Sequence, residues 1–326
     1  MQVARTVPVR PHEQPSPVSA AGLSMALLKS TVLELAVLAG HLLLYPSGVL
    51  PERRRPGVLP EAAAPAPPQK PPAPHPPAEA RTPVLTPTPA PRTGRTAAAT
   101  RTRTPRIPTP RKPPVLLLHG FIDNRSVFVL LRRSLAQQGR QQIESLNYSP
   151  LTCDIRTAAT LLGRHVEELC ERTGQERIDI VGHSLGGLIA RYYVQCLGGD
   201  RRVRTLVTLG TPHAGTRVAP LANAHPIVRQ MRPGSAVVEE LTRPAPSCRT
   251  RFVSFWSDLD QLMVPLETAC VDHPDLCAQN VRVTGIGHLA LPVHPAVATG
   301  VRQALDAEPA DAGAPAAGSA GGLTVA

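Results

Sequence analysis

From Pro113 onward the chain alternates short, continuous apolar runs with longer stretches of helical period. Val115–Leu118 is apolar at every position and ends in His119-Gly120, as suits a strand buried on both faces. Ser126–Gln137 follows as a predicted helix and Ile143–Tyr148 as a second strand. Between Ile155 and Arg172, apolar side chains recur at Ile155, Ala158, Ala159, Leu162, Val166, Leu169 and Cys170, which is one stripe of a helix. Arg177–Val181 predicts a third strand, Leu185–Cys196 a helix and Val203–Leu209 a fourth strand. Residues 218–242 read as helix broken at Pro226 and at Pro233-Gly234. Phe252–Trp256 and Val281–Thr284 predict the last two strands, and Pro295–Leu305 a closing helix. Strands alternating with helices imply an α/β domain over residues 113–306: a mainly parallel sheet of about six strands with helices on both faces.

The rest of the chain has a different texture. Residues 1–20 are polar and Pro-rich, so a disordered N-terminus is expected. Residues 21–50 carry an apolar run from Thr31 to Leu44, interrupted by Glu34 and His41. With Leu23–Leu28 included, that run approaches one bilayer thickness as a helix. A membrane anchor, an export signal and an amphipathic or core helix all fit it, and Met25 offers an alternative start. The Arg53-Arg54-Arg55 run beyond it complicates orientation in a membrane. Residues 51–112 hold 18 of the 38 prolines and almost no large apolar side chains. Such a stretch cannot bury enough surface to offset its ordering entropy, so a disordered linker is expected. Residues 307–326 read as a flexible tail.

Charge changes the picture only by its location. The net charge is +11, and residues 51–112 contribute +9 of it, against +3 for residues 113–306. The basicity therefore belongs to the linker: a solvated spacer, or a contact for acidic polymer or lipid. No nucleic-acid motif accompanies it, so no nucleic-acid partner is expected. Six cysteines, Cys153, Cys170, Cys196, Cys248, Cys270 and Cys277, form no C-x-x-C and no zinc spacing. They allow fifteen full pairings, with Cys270 and Cys277, which close a short loop, the first pair to test; an even count is compatible with export to an oxidising compartment, and buried free thiols are the alternative.

The chemistry concentrates at Val181-Gly182-His183-Ser184-Leu185-Gly186-Gly187. This G-x-S-x-G follows an apolar strand and opens a helix, the context that gives the motif meaning. A serine on so sharp a turn projects its hydroxyl, and glycines on either side leave room for the turn. The Leu185 amide at the helix start can stabilise an oxyanion. A nucleophilic serine needs a base, and the base an orienting carboxylate, in the chain order Ser, acid, His. Of the downstream histidines, His288 follows the last strand in Gly285-Ile286-Gly287-His288-Leu289 and is placed to reach back over the serine. His294 is its nearest rival, and His213 is expected to shape the site's floor. After the fifth strand, Asp258 and Asp260 both offer a carboxylate. Two apart in an extended segment, they face the same way, so alternation does not separate them. Asp260 is the preferred acid and Asp258 the alternative, with the other capping a turn. The Phe121 amide, after His119-Gly120, is the candidate second oxyanion donor.

The segments VLLLHGF (115–121), VGHSLGGLIAR (181–191), TLGTPHAGT (208–216), SDLDQLMVP (257–265) and GIGHLAL (285–291) stand in family order, and together resemble bacterial triacylglycerol lipases and esterases of the α/β-hydrolase superfamily. The resemblance spans about Pro113 to Leu305. It implies a minimal α/β-hydrolase fold, hydrolysis of carboxylic esters by Ser184, Asp260 and His288, and oxyanion donation by the Phe121 and Leu185 amides. It implies no metal and no organic cofactor for catalysis. A monomer acting on an ester or lipid substrate is expected. Acyl transfer, thioester cleavage or polyester depolymerisation on the same triad is the alternative, and a tethered surface-binding protein the non-enzymatic one. No long lid insertion is evident, although Met231–Ser235 and neighbouring helices offer a short one. The expected location is membrane-anchored, through residues 21–50, or secreted.

Overall fold

The computed structural model describes residues 28, 31–36, 39, 40, 112–121, 123–148, 154–217 and 225–307. The chain divides into two units, residues 1–52 with 112–326, and residues 53–111; all the described residues belong to the first. The expected disordered N-terminus, the linker before Lys112 and the tail beyond Ala307 lie outside the described residues. Lys112 itself is part of the folded unit, with its ammonium 3.0 Å from Asp306.

Six strands form one sheet: β1 (Val115–Leu118), β2 (Ile143–Leu146), β3 (Ile178–His183), β4 (Val203–Leu209), β5 (Arg251–Ser257) and β6 (Cys277–Val283). Their order is β2-β1-β3-β4-β5-β6, and every neighbouring pair is parallel. Beyond residue 112 the described α-helices are α1 (Val129–Gln137), α2 (Ile155–Thr173), α3 (Leu185–Cys196), α4 (Pro226–Gln230), α5 (Ala236–Glu240) and α6 (Pro295–Asp306). This is the α/β architecture expected.

The strands show why continuous apolar runs were needed. Leu116, Leu118, Ile178, Ile180, Leu206 and Phe252 pack in one cluster with α2 and α3. Val115, Leu117, Val181, Val207, Val253 and Phe255 pack in another with α1 and α6. Alternate residues thus feed two cores on opposite faces of the sheet. Helix α2 is punctuated as its sequence suggests: Asp154 caps its first turn through the Thr157 amide, and Gly174 ends it in the left-handed region.

Several element limits differ from expectation for identifiable reasons. Residues Arg125–Phe128 form a 3-10 turn before α1, with Asn124 capping it. Strand β3 runs on into Gly182 and His183, which pair with Thr208 and Leu209 despite lacking apolar character. Strand β6 starts at Cys277, four residues earlier than the apolar pattern indicated, because residues 277–280 lie exposed on the edge strand. Of residues 218–242, the described part holds the two short helices α4 and α5, one starting at the expected break at Pro226 and the two separated at the expected break at Pro233-Gly234.

Chain order places the site. From β1 the chain goes outward to β2, then crosses back past β1 to β3, so the sheet's switch point lies between β1 and β3. Ligand sites in such sheets form outside the carboxyl ends of the strands at that point. Leu118 and Gly182 stand opposite each other there, and Gly182 pairs in turn with Thr208.

Candidate active site

Ser184 sits where β3 ends and α3 begins, with φ 51° and ψ −120°. Among the described residues it alone of the non-glycines has a positive φ. Such a conformation costs on the order of 1–3 kcal/mol and needs bracing. The bracing is visible: the Ser184 amide donates to the Leu209 carbonyl at 2.9 Å, and the Ser184 carbonyl accepts from the Gly187 amide and from Thr211 Oγ1. Ser184 is half-buried while its neighbours from Val181 to Ala190 are buried.

The flanking glycines are required by close approach. A side-chain carbon at Gly182 would lie 2.5 Å from the Gly187 backbone. One at Gly186 would lie 2.4 Å from the Leu118 carbonyl oxygen and 2.6 Å from that of His119. The first turn of α3 is therefore seated against the end of β1, which brings the Leu185 amide toward the segment holding Gly120 and Phe121. Tyr148 braces that segment: its hydroxyl donates to the His119 carbonyl, and its ring stacks on His119 at 4.4 Å. The Phe121 ring meets that of His225 edge-on at 5.4 Å.

His288 lies on the loop after β6, with Nδ1 2.7 Å from Asp260 Oδ2; both side chains are buried. A side-chain carbon at Gly210 would fall 2.8 Å from Asp260 Oδ2 and 3.0 Å from His288 Nδ1. The pair thus abuts the end of β4, one residue past the carbonyl that holds Ser184. Burial pulls the His288 pKa down, but the Asp260 charge and hydrogen bond, with Glu34 and Asp123 behind them, hold it above the ordinary histidine value. Among the described residues no hydrogen bond joins His288 to Ser184 Oγ; the His288 ring bonds Asp260, and its carbonyl faces His183 Nε2 and accepts from the Leu291 amide. Such contacts are often long before substrate arrives.

The two candidate acids diverge. The segment is not extended: the chain turns after Ser257, where the Asp260 amide donates back to the Ser257 carbonyl and the Leu259 amide to Ser257 Oγ. Asp260 turns inward to His288, whereas Asp258 pairs with exposed Arg282 and accepts from the Gly285 amide at 3.0 Å. Asp258 therefore pins the base of the His288 loop. The other histidines have different work. His294 caps α6 by accepting from the Ala296 amide. His213 is buried against Thr208 Oγ1 at 3.0 Å, and its pKa is driven well down by burial and by Arg191.

Three residues of this neighbourhood carried no clear sign in the sequence. His183, inside the serine motif, places Nδ1 3.2 Å from Asp123 Oδ2 and Nε2 3.2 Å from the His288 carbonyl. Its ring centre is 4.8 Å from that of His288. Burial lowers its pKa despite the Asp123 hydrogen bond. The third is Glu34, whose carboxylate accepts from the Leu289 and Ala290 amides.

A model of the alpha/beta hydrolase fold matches residues 113–243. The chain has an α/β-hydrolase fold. Solved structures similar to it include Aspergillus fumigatus lipase B, at 14% identity over 57% of this chain and 50% of that one, with a TM-score of 0.51. Mature Bacillus licheniformis lipase BlEst2 is 15% identical over 57% of this chain and 88% of that one, with a TM-score of 0.48. A gene product of Listeria innocua is 17% identical over 61% of this chain and 96% of that one, with a TM-score of 0.47. At 14% identity the likeness to the Aspergillus lipase speaks for the fold alone.

The five described cysteines are free thiols, so Cys270 and Cys277 are unbonded. Their loop is closed instead by Asn280, whose side chain bonds both the amide and the carbonyl of Val271. Cys153 lies outside the described residues. The Met231–Ser235 stretch is tied down, with the Met231 carbonyl accepting from the Thr216 amide at 2.8 Å. Among the described residues no helix is long and apolar enough to cross a membrane; of residues 21–50, only 28, 31–36, 39 and 40 are described. An apolar depression of about 310 Å³ lies on the loop after β5, lined by Asp260, Met263, Val264 and Leu266, and its lining includes neither Ser184 nor His288.

Proposed function

We propose that this chain is a serine hydrolase that cleaves carboxylic esters through an acyl-enzyme. The observation that carries the reading is the strained Ser184 turn at the sheet's switch point, with a buried Asp260–His288 pair delivered beside it from the loops after β5 and β6. Strained non-glycine residues cluster at active sites, where the surrounding structure over-determines them, and a serine projecting its hydroxyl from such a turn is suited to nucleophilic attack.

In this reading Ser184 Oγ attacks the ester carbonyl carbon while His288 Nε2 takes the hydroxyl proton. Asp260 holds the opposite ring nitrogen and so fixes tautomer and orientation, and its charge stabilises the imidazolium that forms. The amides of Phe121 and Leu185 donate to the tetrahedral oxyanion. The C–O bond to the alcohol breaks as His288 returns the proton to the leaving oxygen. Water, deprotonated by the same imidazole, then attacks the acyl-enzyme, and Ser184 leaves with the proton. Each role is filled by groups of this chain.

The test is turnover of p-nitrophenyl esters over a series of acyl lengths, with and without a lipid–water interface, by the full chain and by Ser184→Ala. Turnover abolished in a folded Ser184→Ala variant is expected. Persistent activity in a clean preparation of that variant would overturn the assignment. Competing alcohol acceptors in the same assay distinguish hydrolysis from acyl transfer.

A further inference from the structure

The described residues of the N-terminal apolar segment are helical, and their large apolar side chains are exposed. Leu28, Val32 and Leu35 are 59%, 59% and 61% exposed. Of residues 31–36 only Glu34, the charged one, is turned inward. A lone carboxylate is poorly suited to that position unless it meets donors. It meets two: Glu34 Oε2 lies 3.1 Å from the Leu289 amide and Oε1 3.0 Å from the Ala290 amide, 255 and 256 residues away along the chain. A third observation is independent of those bonds. A side-chain carbon at Gly287 would fall 2.3 Å from Glu34 Oε1, so the space for this carboxylate exists because residue 287 is glycine. Glu34 thus occupies the inner side of the turn 287–290, on which His288 rides.

We propose that Glu34 is a positioning residue for His288: its carboxylate clamps the turn carrying the imidazole, which makes the N-terminal segment a working part of the active site. The inference rests on the hydrolase reading above, because it assigns His288 as the base. The clamp acts in two ways. Two charge-assisted bonds to consecutive amides fix the turn against rotation. The negative charge also favours the imidazolium that forms when Ser184 is deprotonated, adding to Asp260 from the loop after β5 and Asp123 from the loop after β1, while neighbouring His183 from the end of β3 stays neutral at neutral pH.

The experiment compares full-length wild type, Glu34→Gln, Glu34→Ala, Gly287→Ala and the double variant Glu34→Ala/Gly287→Ala. The readout is the rate at which a fluorophosphonate labels Ser184 between pH 5 and 9, with thermal unfolding as a check on folding. Labelling needs a reactive serine and base but no correct ester, so it separates this inference from substrate identity. The expected result is labelling slowed about tenfold or more in Glu34→Ala. In Glu34→Gln, which keeps the shape and loses the charge, the acid limb of the profile moves to lower pH. Gly287→Ala evicts the carboxylate and adds nothing further in the Glu34→Ala background. Wild-type rates with an unmoved acid limb in both Glu34 variants would overturn the inference and leave the hydrolase reading standing, as would a loss of rate without any shift of the limb. Failure of the folded wild type to label would overturn both.

Discussion

Replacing Asp260 and Asp258 one at a time by Asn separates two carboxylates that differ by two positions. Asp260 lies 2.7 Å from His288 Nδ1, and the two side chains are 1% and 3% exposed. Asn keeps an oxygen there and removes the charge. With charge centres about 4 Å apart and an effective dielectric near 20, the lost attraction for the imidazolium is about 4 kcal/mol. Because that cation forms on the way to the transition state, the loss falls on kcat and amounts to roughly a thousandfold. Asp258 faces Arg282, whose side chain is 54% exposed, so the pair contributes only about 0–1 kcal/mol. An Asn at 258 can still accept from the Gly285 amide, and kcat is expected within about threefold of wild type. The assay is p-nitrophenyl ester turnover at pH 8 for both variants side by side, with unfolding temperatures measured on the same samples. Equal losses in the two, or an Asp260→Asn variant keeping more than about a tenth of the wild-type rate, would refute the electrostatic argument.

Two further outcomes follow from packing and from thiol state. Gly186→Ala drives a methyl group into the carbonyl oxygens of Leu118 and His119, which are backbone and cannot swing aside; a loss of about 1–3 kcal/mol in stability is expected, read as a lower unfolding temperature, with ester turnover falling as well. Thiol titration of the denatured, unreduced protein is expected to find at least the five cysteines that are free in the structure. In the native protein exposed Cys196 and Cys277 react first, while Cys170, whose thiol is pushed up by burial, reacts only on unfolding. Fewer than five thiols after denaturation would overturn the unbonded assignment.

The elements most legible in the sequence were those whose cores are made locally. The α2 stripe and the apolar β1 and β4 each carry their burial in their own spacing. Edge strand β6 was legible only at its buried end, since Cys277–Asn280 face solvent and show no period. The serine turn was readable because its glycines answer a local collision. The choice between Asp258 and Asp260 was not, because it depends on the turn after Ser257, which is held by that residue's own hydroxyl and carbonyl. His183, Asp123 and Glu34 were illegible for another reason. Each is polar and buried or half-buried through partners 60 to 256 residues away, and no window of the sequence contains both ends of such a contact.

Two histidine–aspartate pairs lie side by side in this site, and their different settings give the last prediction. Both rings are buried and their centres are 4.8 Å apart. His288 has the shorter bond to its carboxylate, 2.7 Å against 3.2 Å for His183, and Glu34 adds charge on its side. Burial dominates at His183, and a protonated His288 repels a second cation there. Both nitrogens of His183 face acceptors, Asp123 Oδ2 and the His288 carbonyl, which by themselves favour the cation, but burial outweighs them. The two rings therefore titrate in opposite directions from the ordinary value: His288 above 6.5 and His183 below it. Catalysis needs neutral His288, so the acid limb of kcat/KM is expected above pH 6.5, and in Asp260→Asn, where burial remains without the opposing charge, it moves down. Linkage gives the matching sign in stability. The raised pKa of His288 contributes stability that is fully present below about pH 6.5 and is lost as pH rises through the folded value. Histidine-resolved NMR titration of the full-length Ser184→Ala protein reads the two steps as macroscopic values of a coupled pair. An acid limb below 6.5 in the wild type, or a His183 step above that of His288, would refute the ordering and with it the view that Asp260 and Glu34 together outweigh burial at the base.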